Sequence, residues 1–162
     1  MTNYWIFKVE DEEGGLFAKK ALEIFMHRTN EGFWGIKEIG ENGKRESNVD
    51  SLKKGDFALF FLIGKNINRF IGTCELDSDY IQLDEEQTKK IVHKEYIDNN
   101  QGVFIKNVDR WSNKLSVDSL RTEKPLKYRN INIGTFFKGN IKKIRQANDY
   151  TAIIKFHKQT KK

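Results

Sequence analysis

The spacing of apolar positions changes along the first part of the chain. Residues Tyr4 to Val9 are aromatic and β-branched, which predicts an opening strand. From Leu16 to Arg28 the apolar side chains recur at helical spacing, which predicts an amphipathic helix. The polar stretch Thr29–Gly32 ends this helix, and Phe33–Ile36 follows as a short apolar stretch.

The middle of the chain predicts a hairpin between two polar segments. Glu41–Asn48 is a charged loop. The continuous apolar run Phe57–Ile63 predicts a buried strand, with a short buried helix as the alternative. A turn leads into a second strand over Arg69–Leu76, so the two strands form a hairpin. Asp77–Asn100 is polar with weak helical periodicity, and we expect a long excursion there.

The last part of the chain predicts one more strand and one more helix. Gly102–Trp111 is the strand, and Ser116–Arg121 is expected to be a helical turn. Apolar residues from Phe136 to Ile144 predict a last helix with a basic outer side. Ala152–Phe156 is either a closing strand or a continuation of that helix.

About five strands with short turns and two helices indicate an α+β fold, a small closed or half-closed β-barrel flanked by helices. The chain has 162 residues and 38% hydrophobic residues, which suits one domain. We expect this domain to span residues 1–156. Residues 157–162 contain no apolar side chain and are expected to be a basic tail or the start of a linker.

The net charge of +6 is unevenly distributed. Residues 124–162 carry 11 Lys or Arg against one acidic residue, Asp149, while the rest of the chain is mildly acidic. This asymmetry indicates a binding face for a polyanion, with a solubilising surface as the alternative. The chain has no apolar run long enough to span a membrane, no signal peptide and a single cysteine, so a cytoplasmic protein is expected.

Candidate catalytic chemistry is sparse. The three histidines, His27, His93 and His157, have no metal-like spacing, and Cys74 follows an apolar strand as a small core residue would. No phosphate-cradling glycine motif and no nucleophile with its base are recognisable. We therefore expect no catalytic residue, no metal and no cofactor.

Trp34 is the most informative aromatic residue. It lies in Gly32-Phe33-Trp34-Gly35, between a helix end and a polar loop. A tryptophan between glycines at a rim can offer its flat face to a base or a cation. The alternative is that Trp34 caps the core.

The order of several short motifs resembles the EVE domain and its relative, the YTH domain, both of the PUA-like superfamily. The motifs are Tyr4-Trp5-Ile6-Phe7-Lys8, Phe33-Trp34-Gly35-Ile36, Leu52-Lys53-Lys54-Gly55-Asp56, Phe70-Ile71-Gly72, Gly102-Val103-Phe104 and Lys124-Pro125-Leu126-Lys127-Tyr128-Arg129-Asn130. The resemblance covers about residues 3–150. It implies a PUA-like β-barrel that takes one modified nucleobase, flipped out of its strand, into an aromatic cage.

By matching position, the resemblance also implies roles for individual residues. Trp34 is the first cage wall, and the Gly35 carbonyl accepts from a base amino group. Lys8, Lys127 and Arg129 contact phosphates.

Three further residues complete the predicted site. Glu10 stands where YTH domains often have Asn or Tyr, and its carboxylate would accept from a base amino group. Tyr80 and Tyr96 are the candidates for the second cage aromatic, and Tyr96 is favoured. The polymer, DNA or RNA, and the identity of the base stay open.

The leading hypothesis is a non-catalytic module that reads a modified, methylated base in nucleic acid. Such a module could be the recognition part of a modification-dependent restriction system, with a fused or separate effector domain. The alternative is a PUA-type RNA-binding protein without modification dependence. A small hydrolase or nuclease is the third hypothesis, and no residue set supports it.

Overall fold

The computed structural model of the chain describes residues 1–11, 20–36, 49–64, 67–92, 96, 100–116, 141–144 and 147–160. Within these residues seven strands form one mixed sheet. They are β1 Tyr4–Glu10, β2 Phe33–Gly35, β3 Phe57–Gly64, β4 Ile67–Leu76, β5 Ile81–Gln82, β6 Gln101–Ser116 and β7 Ile141–Ile144. The strand order is β2-β6-β4-β3-β1-β7, and β5 pairs with β6 beside this path. Strands β1 and β3 are parallel, and the other pairs are antiparallel.

The helices of the described chain are α1 Ala21–Glu31, α2 Glu85–Lys90 and α3 Ala147–Thr160, and a 3-10 turn covers Val49–Ser51. Helix α1 begins later than the sequence predicted, because Lys20 is extended. The Ala21 N–H donates to the Asp11 carboxylate at 2.7 Å, which satisfies a donor that has no partner inside the helix. Gly32 ends α1 in the left-handed region, where glycine has no steric penalty.

The two faces of the central strands are both buried. Alternate residues of β1, such as Trp5 and Phe7, pack with α1 in the main core, whereas Ile6 packs with α3 in a second core. Strand β3 has the same division, since Phe60 faces the main core and Phe61 the second. Burial on both sides explains why β3 is an uninterrupted apolar run, as predicted.

The predicted hairpin of β3 and β4 is confirmed. Its register shifts between Phe60 and Phe61, and β4 has further irregularities against β6. Such bulges bend a strand and raise its twist, which helps the sheet to curve. The Asp56 carboxylate, buried at the start of β3, accepts from the indole N–H of Trp5 at 3.0 Å.

The predicted last helix is wrong over Ile141–Ile144. These residues form β7, which pairs antiparallel with β1. Ile141 faces the main core and Ile144 the second core, because positions three apart lie on opposite sides of a strand. A spacing of three is also typical of a helix, so the pattern was ambiguous.

The chain continues as a helix beyond the predicted domain end at residue 156. Helix α3 extends to Thr160, which is the helical alternative for Ala152–Phe156. His157 is 3% exposed and stacks on Trp111 with ring centroids 3.8 Å apart. The expected tail therefore begins inside a helix, and its first residue contacts Trp111, a member of the second core.

Two predictions concern loops and turns. The polar excursion of residues 77–100 contains β5 and α2, and Asp84 begins α2 with a capping box. The predicted helical turn Ser116–Arg121 is wrong at Ser116, which is the last residue of β6. The rest of that turn, the predicted loop at 41–48 and residues 136–140 of the predicted helix lie outside the described residues. None of the helices in the described chain is long and apolar enough to cross a membrane.

Candidate functional site

Trp34 lies at the centre of β2, the short strand at one end of the sheet. Gly32 turns the chain out of α1, and its carbonyl accepts from the Ile105 N–H at 2.9 Å. Strand β2 then runs antiparallel to β6, with Trp34 opposite Val103. Two different elements, the end of α1 and β6, therefore fix the position of Trp34.

The ring of Trp34 is buried in the main core and is 1% exposed. Its ring contacts in the described chain are with Phe7, at a centroid distance of 5.8 Å and an interplanar angle of 22°, and with Phe60 at 4.9 Å. The Arg28 guanidinium carbon lies over the ring, 4.9 Å from its centroid. The alternative interpretation of Trp34 as a core residue thus describes its environment in this structure. Because the ring is 1% exposed, a base can stack on Trp34 only if a group that covers the ring moves.

The backbone N–H and C=O groups of Gly35 point away from β6. Hydrogen bonds from the Ile36 N–H to Gln101 at 2.8 Å and from the Ile105 N–H to Gly32 identify two hydrogen-bonded pairs in this ladder. Hydrogen-bonded and non-hydrogen-bonded pairs alternate in antiparallel sheets, so Gly35 and Gly102 form a non-hydrogen-bonded pair. The Gly35 carbonyl is consequently directed to the outer edge of β2, as acceptance from a base would require.

Gly102 allows β2 and β6 to approach closely at this point. A Cβ atom on Gly102 would overlap the Trp34 carbonyl and lie 2.9 Å from the Cα of Gly35. The position therefore requires glycine for steric reasons. The sequence motif Gly102-Val103-Phe104 marked this residue without revealing its role.

The two candidate second aromatics both lie near the Trp34 segment. The Tyr80 hydroxyl donates to the Ile36 carbonyl at 2.9 Å. The Tyr96 hydroxyl donates to Glu23 at 2.9 Å, and its ring stacks on His27 at 3.9 Å. Both tyrosines pack against the main core. Neither ring is in contact with the Trp34 ring in the described structure, so their cage role stays a prediction.

Arg28 connects Trp34 with Tyr96. Its Nε donates to the Tyr96 carbonyl at 2.7 Å while its guanidinium lies over Trp34. No sequence motif indicated Arg28 as a site residue. Its position in the sequence was consistent with burial, because it follows Ala21 and Ile24 at helical spacing on the apolar face of α1.

Lys8 and Glu10 form an ion pair, with 3.2 Å between the Lys8 ammonium and the Glu10 carboxylate. They alternate with Phe7 along β1, so they lie on the face opposite to the one that contacts Trp34. The structure does not bring Glu10 and Lys8 together with Trp34. The predicted phosphate contacts Lys127 and Arg129 lie outside the described residues.

Cys74 and Asp11, which carry ionisable side chains, have structural roles in the described chain. Burial raises the pKa of the Cys74 thiol, and the neighbouring Glu75 raises it further, so the thiol stays protonated. Asp11 holds the first turn of α1. The described chain contains no group of three His, Cys, Asp or Glu side chains placed to bind a metal ion.

Comparison with known proteins identifies the family. The model of the EVE domain family matches residues 3–145. No curated protein matches the chain.

Solved structures share the fold over nearly the whole chain. A protein from Leishmania major has a TM-score of 0.64 and 16% identity, and the alignment covers 100% of this chain and 98% of that one. Human THYN1, solved in complex with DNA containing 5-methylcytosine, has a TM-score of 0.60 and 16% identity, with 94% and 97% covered. The YTH domain of Zygosaccharomyces rouxii MRB1, solved with N6-methyladenosine RNA, has a TM-score of 0.56 and 13% identity, with 96% and 86% covered.

The TM-scores and the extent of these alignments show a common fold, which confirms the predicted PUA-like α+β architecture of the EVE and YTH type. Since the family model matches most of its length, this chain belongs to the EVE domain family.

Proposed function

We propose that this protein is a nucleic-acid-binding module that reads a methylated base. The observation that carries the proposal is the EVE match over residues 3–145 together with the shared fold of two proteins solved with methylated nucleic acid. One of those complexes contains 5-methylcytosine DNA and the other N6-methyladenosine RNA. Their common element is a methylated base that carries an exocyclic nitrogen.

The geometry around Trp34 supports this proposal. The carbonyl of Gly35, the residue after Trp34, is directed away from β6, and we assign it as the acceptor for the amino hydrogen of a base stacked on Trp34. Stacking on an aromatic ring contributes about 1–3 kcal/mol per base. One buried methyl carbon adds about 0.8 kcal/mol, so discrimination between methylated and plain bases requires a close fit.

The basic C-terminal part of the chain supports a polyanionic partner. Residues 124–162 carry 11 Lys or Arg against one acidic residue, and they include the predicted phosphate contacts Lys127 and Arg129. Phosphate contacts release counterions, so the affinity should fall steeply as salt increases. They would also offset the few kcal/mol that extrusion of a base costs.

We propose that the module binds without catalysing a reaction. Its context would be the recognition part of a modification-dependent restriction system, acting with a fused or separate effector domain. The EVE family match and the buried, protonated thiol of Cys74 support a binding role. Incubation with nucleic acid and magnesium, followed by gel analysis, should leave the substrate intact, and any cleavage would contradict this part of the proposal.

The second candidate function is PUA-type RNA binding without dependence on modification. The burial of Trp34 favours it, because a closed ring cannot distinguish one base from another. Binding would then rest on the basic surface alone and be insensitive to methylation.

A binding panel at one stated salt concentration distinguishes the two. The probes are single- and double-stranded DNA and RNA oligonucleotides with cytosine or 5-methylcytosine, and with adenine or N6-methyladenine. A modified-base reader should bind one methylated probe about tenfold more tightly than its plain twin, which corresponds to about 1.4 kcal/mol. Equal affinities that all weaken together with salt would support general binding and refute the modified-base proposal.

A further inference from the structure

Arg28 is a charged residue in an apolar environment. It lies on the buried face of α1 and is 8% exposed. A guanidinium in such a position needs partners to compensate for lost hydration. Its described contacts include the Tyr96 carbonyl, 2.7 Å from Nε, and the ring of Trp34.

The guanidinium occupies space that a base stacked on Trp34 would need. Guanidinium groups are planar and delocalised, and they stack on aromatic rings as bases do. Among the described residues, the aromatic neighbours of the ring are Phe7 and Phe60, which are fully buried in β1 and β3. Their displacement would disrupt the main core, whereas Arg28 has a long side chain on a helix.

We propose that Arg28 is an internal competitor of the base for Trp34, and that base binding requires its guanidinium to leave the ring. This inference rests on the proposed function, since it concerns the same site. Arg28 thereby lowers the affinity for every base, and only a base with additional favourable contacts displaces it. Because this competition lowers the affinity for plain and methylated bases by the same factor, it sets the strength of binding and leaves the ratio of the two affinities unchanged.

The expected change in the dissociation constant depends on the fraction of molecules in which Arg28 covers Trp34. The apparent dissociation constant equals the intrinsic one divided by the fraction of molecules in which the ring is accessible. If Arg28 covers Trp34 in about nine molecules of ten, its removal should tighten binding about tenfold.

The first test needs no ligand. The protein is labelled with 5-fluorotryptophan, and its three tryptophans give fluorine NMR resonances, of which that of Trp34 is identified by its loss in Trp34→Phe. Arg28→Met removes the guanidinium but keeps an apolar stem, and Arg28→Lys keeps the charge but lacks the planar group. Both substitutions should shift the fluorine resonance of Trp34. They should also increase the difference in its chemical shift between H2O and D2O, which reports exposure of the ring to solvent.

Arg110→Met is the matched control. Arg110 donates to Thr29 and Asn30 near the end of the same helix, and it does not contact Trp34. This variant should leave the Trp34 resonance unchanged. Thermal unfolding of each variant establishes that it is folded, and Arg28→Lys provides the test if Arg28→Met does not fold.

The second test is binding of the methylated oligonucleotide selected by the panel. Arg28→Met and Arg28→Lys should bind it several-fold more tightly than the wild type. Unchanged Trp34 resonances in both variants would overturn the proposal, and so would weaker binding by both. If the proposed function is wrong, neither the wild type nor any variant prefers methylated probes. The ligand-free resonances still report whether Arg28 covers the ring.

Discussion

The Lys8 ammonium and the Glu10 carboxylate are 3.2 Å apart, on the opposite face of β1 from Trp34. The resemblance implied that Lys8 contacts a phosphate and that Glu10 contacts the base. In this structure each of them compensates the charge of the other. Glu10 is 53% exposed and Lys8 only 13%, so the carboxylate is the more accessible partner of the pair. An approaching phosphate would meet the carboxylate before the ammonium.

The first prediction concerns this ion pair. Glu10→Gln removes the negative charge beside Lys8, so all oligonucleotides, methylated or plain, should bind about two- to fivefold more tightly. The dependence of log K on log salt should steepen by about one unit, as one additional phosphate contact would cause. Both quantities are measured by titration at several salt concentrations.

Glu75→Gln is the matched control, because Glu75 pairs with Lys106 at 3.3 Å elsewhere on the sheet. It should change binding much less. If Glu10→Gln weakened the binding of a methylated probe selectively, Glu10 would contact the base itself, as the resemblance implied.

The second prediction concerns the close approach of β2 and β6. Gly102→Ala places a methyl group onto the Trp34 carbonyl, so the strands must separate. The free energy of unfolding should fall by about 1–3 kcal/mol or more, the usual cost of overpacking. Urea unfolding measures this change. Gln101→Ala, one residue earlier in β6, should be nearly neutral, and equal stability of the two variants would contradict the steric role of Gly102.

The third prediction concerns the end of α3. Truncation after Phe156 removes His157, which stacks on Trp111, whereas truncation after Thr160 leaves the stack intact. Stacked aromatic pairs contribute about 0.5–1.5 kcal/mol beyond the burial of their area. We therefore expect the shorter chain to lose at least about 1 kcal/mol of unfolding free energy. The longer truncated chain should match the full protein. Equal stability of the two chains would support residue 156 as the structural end of the domain.

The fourth prediction concerns alkaline pH. Burial raises the pKa of the Tyr150 hydroxyl and of the Cys74 thiol. The unfolded chain therefore releases these protons at a lower pH than the folded chain does. The contribution of the two groups to the free energy of unfolding is complete below about pH 8 and is lost as the pH rises past their ordinary pKa values.

Tyr150→Phe removes one of the two groups. Its unfolding free energy should decline less steeply above pH 10, by up to about 1.4 kcal/mol per pH unit relative to the wild type. Urea unfolding at pH 8 to 11 measures the two slopes. Parallel slopes for both proteins would show that the hydroxyl titrates alike in the folded and unfolded chains.

Much of the sheet could be predicted because its signals are local. The apolar run of β3 and the turn after it specify a hairpin, and the aromatic and β-branched residues of β1 specify a strand. Strand β7 could not be recognised, because Ile141 and Ile144 are spaced for a helix as well as for a strand buried on both sides. Its pairing with β1 is a long-range contact that no short pattern contains.

The site was harder to predict than the fold. Matching motifs by position identified Trp34 and Gly35, which are adjacent in β2. It also associated Glu10 with Trp34, although the alternation of β1 directs Glu10 to the other face. Arg28 was missed because a charged residue near a helix end usually contacts solvent, and only the tertiary structure reveals its contact with Trp34.

The most direct test of the modified-base proposal compares two buried tryptophans on opposite faces of the sheet. Trp34→Phe and Trp111→Phe each replace an indole with the smaller phenyl ring in one of the two cores. The measurement is the ratio of dissociation constants for a plain and a methylated oligonucleotide at one salt concentration. The proposal predicts a wild-type ratio near ten that Trp111→Phe preserves and Trp34→Phe reduces toward one. An unchanged ratio in Trp34→Phe, or a ratio of one in the wild type, would contradict it.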